Sequence, residues 1–186
     1  WQTSNPGATA VTKVQLAAML APAAAEPILD MAIAHLVDQG ALVKVNNGYR
    51  PPHHQARLTD AESRLWHRLE PILKESPTRP PVVHELAKLL SMPPKALETQ
   101  LNRLVQLELL VRPVPNRYFL PAAVLELHRT AIALAATRPA GFTVQEFRDA
   151  TAIGRNLSIE LLEYFDRKGI TSRFGDHRKL TPRGLA

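Results

Sequence analysis

Residues 142–182 read FTVQEFRDATAIGRNLSIELLEYFDRKGITSRFGDHRKLTP, and this stretch decides how the chain folds. Thr143 followed three residues later by Glu146 is a capping box, and Phe147 and Ala150 give the helix after it one apolar face. Ile153-Gly154 predicts the turn. Leu157, Leu161, Leu162 and Phe165 then recur at helical spacing, and Gly169 ends that second helix. Ile170 to Arg173 and Arg178 to Thr181 are short strand candidates, with Gly175-Asp176 at the tip between them. Two short helices at a tight turn, closed by a basic hairpin, form the winged-helix pattern. Its second helix and its wing are the parts that usually meet nucleic acid.

The same order of events occurs three times. Leu16 to Pro51, Leu86 to Pro121 and Phe147 to Pro182 each span 35 residues between matching landmarks. In each, a second helix is followed by a short apolar run, a turn and a second run: Ala41 to Val45 then Tyr49-Arg50, and Leu109 to Arg112 then Tyr118 to Leu120. The chain is therefore expected to be mainly α with small β-hairpin wings (α+β), a tandem array of three winged-helix modules. The modules are placed at 1–57, 58–120 and 121–186. Each needs a preceding helix to close its core. In the second, Thr59 and Glu62 cap a helix with Leu65, Trp66, Leu69 and Leu73 on its buried stripe, and Pro71 should kink or end it. In the third, the helix is expected from Ala122 to Ala136, with Leu125, Ile132 and Leu134 among its apolar positions. The first module shows no convincing equivalent, and its leading helix is expected to be truncated, because Trp1 with no initiator Met reads as the start of a fragment.

Composition narrows the function. An apolar share of 45% with Leu and Ala dominant suits small helical cores. With no cysteine there is neither disulfide nor thiolate metal site, and a cytoplasmic location is expected. No apolar run is long enough to span a membrane, and no Gly-rich phosphate loop is visible. The seven histidines are scattered; His53-His54 lacks the carboxylates that would complete a metal site, and His35, His67, His84 and His128 fall on predicted helices as surface or edge residues. Ser63, Ser76 and Ser158 have no visible His-Asp partnership, so no catalytic residue is assigned and an enzyme is not expected.

The net charge of +6 is unevenly spread, with +1, +2 and +3 on the successive modules. Between residues 167 and 183 six basic residues (Arg167, Lys168, Arg173, Arg178, Lys179, Arg183) face one acid, Asp176. With Arg148 on the first helix and Arg155 at the start of the second, they predict a phosphate-binding surface. The earlier wings offer only Lys44 and Arg50, then Arg112 and Arg117. Phe174 either stacks on a base or packs under its own hairpin; Trp66 suits the buried stripe better than stacking. A solvated basic face and a protein-contact module are the bland readings of the same residues.

Phe147-Arg148-Asp149, Gly154-Arg155, Leu161 to Asp166 and Gly175 to Arg178 together resemble the C-terminal region of the bacterial selenocysteine-specific translation elongation factor. The resemblance covers about 40 residues in detail, and the tandem winged helices agree with it in architecture. It implies that the last module binds the stem-loop in selenoprotein mRNA (SECIS) that recodes UGA, with the first two modules as spacers. The implied RNA-binding residues are Arg148 and Arg155 near the loop, and Ser172, Arg173 and Arg178 from the wing. Gly175, Asp176 and His177 would sit at the wing tip. Asn156 stands where the family pattern leads one to expect another basic residue, which removes one phosphate contact. Other implied partners are the ribosome and selenocysteinyl-tRNA, reached through the full-length protein. No cofactor is expected in this fragment, since GTP belongs to an N-terminal GTPase part absent from it, and a monomer is expected. A DNA-binding transcription regulator and a protein-interaction scaffold are the rival readings.

Overall fold

The structure, a computed structural model, describes residues 7–20, 26–45, 48–53 and 57–184. Its elements run α1 (Lys13–Met19), α2 (Glu26–Asp38), β1 (Val43–Val45), β2 (Gly48–Arg50), α3 (Asp60–Glu75), α4 (Val83–Leu90), α5 (Pro94–Gln106), β3 (Val111–Val114), β4 (Arg117–Phe119), α6 (Pro121–Ala136), β5 (Phe142–Thr143), α7 (Val144–Thr151), α8 (Arg155–Arg167), β6 (Thr171–Phe174) and β7 (His177–Leu180). Among the described residues, the order helix, helix, antiparallel hairpin occurs three times.

The repeat has a local cause. Thr12, Val82 and Thr143 stand before the first helix of each pair, and Gln15, Glu85 and Glu146 reach back to their backbone N–H groups at 2.9, 2.9 and 2.7 Å. Threonine completes the box through its own hydroxyl in the first and third repeats; Val82 has no side-chain acceptor, so the middle box is half made. Leu16, Leu86 and Phe147, the spacing landmarks, then occupy the same position on α1, α4 and α7. Each second helix ends in a left-handed residue: Gly40, Glu108 and Gly169 at φ 69°, 62° and 68°.

By packing, the chain forms two compact units, residues 1–63 and 64–186, with the division inside α3 and not at the expected 57/58 boundary. The first unit holds α1, α2 and the β1–β2 hairpin, with Val11 bridged to Tyr49. Lys13 pairs with Glu26 and Asp30 at 3.0 and 2.8 Å. No helix precedes α1 among the described residues. Leu20 is 57% exposed, whereas Leu90, its counterpart at the end of α4, is 2% exposed.

In the second unit α3 buries Leu65, Leu69 and Leu73, with Trp66 half-buried, and runs on four residues past Pro71 to Glu75. Of the two expected outcomes at Pro71, a kink or an end, the end does not occur. On α6 the buried face is Ala123, Leu127 and Ala131, while Leu125 is exposed and Ile132 and Leu134 are only half-buried. Small residues let that helix sit close, which a search for large apolar side chains overlooks. No gap in packing falls at the expected 120/121 boundary: Val114 and Phe119 of the β3–β4 hairpin share one buried cluster with Leu127, Phe142, Phe147, Leu161 and Phe165. Within it Phe147 meets Phe165 edge-on, with ring centroids 6.4 Å apart.

Candidate nucleic-acid interface

The last repeat has a three-stranded sheet in the order β5-β7-β6, so Arg178 lies on the central strand, opposite Phe142 on one side and Arg173 on the other. Strand alternation sends Thr171, Arg173, Arg178 and Leu180 to one face of the wing and Ser172, Phe174, His177 and Lys179 to the other. The first set faces the helices. Thr171 and Arg178 are buried there, and both bond Asp166 near the end of α8: the Thr171 hydroxyl donates to Oδ1 at 2.5 Å and Arg178 Nε to Oδ2 at 3.0 Å.

The turn between the helices spans residues 152–154 and so contains the expected Ile153-Gly154. Ala152, not Gly154, takes the left-handed conformation, at φ 53°, and Gly154 (φ −67°, ψ 153°) is the cap that starts α8. That start places Arg155 at the first helical position beside the wing. A cleft of about 550 Å³ lies between α7, α8 and the sheet. Its charged lining is Arg148, Arg155, Arg173 and Arg178 against one carboxylate, Asp176; Gln145, Thr143, Val144 and Ile159 complete it. Arg148 is half-buried and donates to Asp149 Oδ1 through Nε and Nη2, at 2.8 and 2.6 Å. Arg173 Nε donates to the Gly175 carbonyl at 2.8 Å, which ties it to the wing tip. Arg155 is exposed and has no ion-pair partner among the described residues.

Five of the nine residues singled out from the sequence therefore line one cleft: Arg148, Arg155, Arg173, Asp176 and Arg178. Arg178, expected to reach RNA from the wing, is 2% exposed and lines the cleft, with its Nε bonded to Asp166. Ser172 and His177 are not brought into the cleft, because they occupy the opposite face of the hairpin. Asn156 is exposed on the first turn of α8, outside the lining. Gly175 holds the two-residue wing turn at φ 60°, the first central position that a type II′ hairpin gives to glycine.

The basic run from 167 to 183 also divides. Arg167 Nη2 donates to the Pro113 carbonyl at 3.4 Å, Lys168 lies over the Tyr164 ring at 5.8 Å, and Lys179 borders a shallow depression beside the end of α6. Of that run only Arg173 and Arg178 reach the cleft; the Arg183 side chain lies outside the described residues. In the middle repeat, Arg112 pairs with Glu98 at 2.8 Å and covers the Tyr118 ring, and Arg117 donates to the Pro80 carbonyl. Those wing arginines are spent on their own fold.

Sequence reasoning missed Asp166 as the residue that fixes Arg178. A signal was present: a carboxylate in the last turn of a helix opposes the helix dipole and calls for a cation nearby. His128, expected as a surface or edge residue, is half-buried, its ring 5.9 Å from that of Phe165 and its Nε2 3.2 Å from the Gly184 carbonyl. Among the described residues no cluster of three or more His, Asp or Glu side chains could hold a metal; His54 lies outside them. Nor is any described helix long and apolar enough to cross a membrane.

Residues 133–180 match the family described as "Elongation factor SelB, winged helix". The chain is 28% identical over 165 residues to the selenocysteine-specific elongation factor of Escherichia coli and 26% identical over 168 residues to that of Haemophilus influenzae. It covers 26% and 27% of those proteins, about a quarter of their length, while 88% and 90% of this chain is aligned. Among solved structures, it is similar to the mRNA-binding domain of elongation factor SelB from Escherichia coli, determined in complex with SECIS RNA. The TM-score is 0.59 at 28% identity, covering 66% of this chain and 98% of that domain. The family match falls on the repeat that holds the arginine cleft, and the chain is by sequence and fold a winged-helix segment similar to the C-terminal region of the selenocysteine-specific elongation factors.

Proposed function

We propose that this segment binds the SECIS stem-loop of a selenoprotein mRNA, and that residues 121–186 grip the hairpin loop at the arginine cleft. One observation carries the reading: four guanidinium groups and a single carboxylate surround one cleft. The similar Escherichia coli domain bound to SECIS RNA supports it. The chemistry suits a loop better than a duplex. The major groove of A-form RNA is too narrow for a helix, so a winged helix must use phosphates and splayed bases. Arginines position the backbone, and the groups between them are left to read bases. Residues 1–57 and 58–120 act in this reading as spacer modules.

The segment then binds and does not catalyse. GTP, selenocysteinyl-tRNA and the ribosome would be engaged through the remainder of a full-length elongation factor, in the cytoplasm, with this part acting as a monomer to direct UGA recoding. The test is binding of the chain to a selenoprotein mRNA stem-loop and to duplex DNA of equal length, across a salt series. The stem-loop should bind more tightly. Arg155→Ala and Arg173→Ala should each weaken it by about 1–3 kcal/mol and flatten the salt slope by about one unit. Preference for the duplex would favour a transcription regulator. Equal, weak binding that is insensitive to both substitutions would leave a protein-contact scaffold.

A further inference from the structure

The outer face of the last wing carries side chains that the cleft does not use. Phe174 pairs with His177 and Ser172 with Lys179, on the side of the hairpin opposite Arg173 and Arg178. Four of the five phenylalanines, Phe119, Phe142, Phe147 and Phe165, are fully buried, but Phe174 is 60% exposed. It is not packed beneath its own hairpin. His177 across from it is exposed too. Directly opposed residues on antiparallel strands hold their Cβ atoms about 5 Å apart, so the two side chains flank a turn made only of Gly175 and Asp176.

Resting on the RNA-binding reading above, we propose that Phe174 and His177 form a stacking platform for an unpaired base of the bound hairpin. The occupant follows from the surroundings. Phe174 adjoins Arg173, whose side chain faces the cleft. A strand with its phosphates in the cleft and its path over the wing edge therefore brings a neighbouring base onto the ring. The other residues on this face, Ser172 and Lys179, are polar, and Ser172 offers a hydroxyl to that nucleotide's ribose. A protein partner would call for a wider apolar surround than one phenyl ring among polar side chains. A nucleobase, with a single flat apolar face and polar edges, matches what is there. The RNA would thus straddle the wing, phosphates on one face and a base on the other.

The experiment places 2-aminopurine at each loop position of the stem-loop in turn and follows its fluorescence on titration with the intact chain. One position should be quenched. Phe174→Leu should abolish that quenching and weaken binding by about five- to one-hundred-fold, leaving the salt slope unchanged because no phosphate contact is lost; Phe174→Tyr should retain both. Phe174 is solvent-exposed, so neither variant threatens folding. Unchanged affinity and quenching in Phe174→Leu overturn the proposal, as does a changed salt slope, which would place Phe174 in the phosphate contacts instead. If the wild-type chain does not bind the stem-loop, the RNA-hairpin reading fails on its own. The platform is then judged with a six-nucleotide single-stranded RNA carrying 2-aminopurine: quenching that depends on Phe174 sustains it, and its absence ends it.

Discussion

The buried pair between Asp166 and Arg178 yields the sharpest prediction. Arg178 is 2% exposed, and its Nε donates to Asp166 Oδ2 at 3.0 Å, while Asp166 Oδ1 accepts from Thr171. Asp166→Ala removes both acceptors at once. The guanidinium is left buried without its counter-charge, a loss that costs about 3–5 kcal/mol when a pair is fully enclosed. Here the Asp166 side chain is 23% exposed and the far side of Arg178 borders the cleft. Water can partly replace the lost carboxylate, so the expected cost is at the lower end, about 3 kcal/mol. For a compact unit of this size that corresponds to a fall in melting temperature of roughly 10 °C.

The assay is urea unfolding followed by circular dichroism, on the wild type, Asp166→Ala, Asp166→Asn, Arg178→Met and the Asp166→Ala/Arg178→Met double variant. Asparagine keeps one acceptor oxygen, enough for Arg178 Nε or the Thr171 hydroxyl but not both, and loses the charge, so it should cost less than alanine but still destabilise. The double variant should be more stable than Asp166→Ala alone, because an apolar side chain of similar length no longer needs a counter-charge. A cost below about 1 kcal/mol for Asp166→Ala, with additive effects in the double variant, would refute the reasoning. Arg178 would then be solvated from the cleft and independent of Asp166.

Three further outcomes follow from the start of the last repeat. Glu146 accepts from the Thr143 N–H and from Arg138, and these bonds hold its carboxyl down to about 2 from an ordinary 4.5. A depressed carboxylate stabilises the fold above its unfolded value, so this contribution is complete at neutral pH and disappears as pH falls from about 4.5 to about 2. Urea midpoints at pH 7, 4.5 and 3 should show that loss in the wild type and much less of it in Glu146→Gln; parallel curves would mean the box is not formed in solution. At pH 7, Thr143→Ala should cost about 1 kcal/mol. Gly141 sits at φ 101°, and a Cβ there would lie 2.7 Å from the Arg178 carbonyl oxygen. Gly141→Ala should therefore destabilise by about 2–3 kcal/mol in the same unfolding assay, and a variant as stable as the wild type would show that β5 can pull away from β7.

What the sequence discloses here is what depends on local rules, and what it hides is what depends on the side of an element that a residue faces. Capping boxes, helical spacing and a Gly-Asp tip each act within a few residues, so they announce α7, α8 and the wing directly, and the equal offsets extend the reading to the earlier repeats. Pro71 obeys a local rule that the rest of its helix overrides: Leu65, Leu69 and Leu73 are all buried, and that burial carries α3 through the proline. The basic wing shows the opposite case. Six cations in seventeen residues look like one surface until strand register is known; register then turns Arg173 and Arg178 to the cleft and Lys179 away from it. The same alternation explains why His177, adjacent in sequence to Arg178, cannot share its role. Sequence alternation between residues 171 and 180 does carry the two faces in principle, but only once the turn is fixed at Gly175-Asp176, since a shift of one residue would exchange them. Asp166 is hidden for another reason. Its partner is twelve residues away across a helix end, a turn and a strand, and only the folded core of Phe147, Leu161 and Phe165 brings the two together. The cleft is therefore a property of the packed repeat. Its arginines can be counted in the sequence, but which of them share a face, and which one is anchored, is decided by the core beneath them.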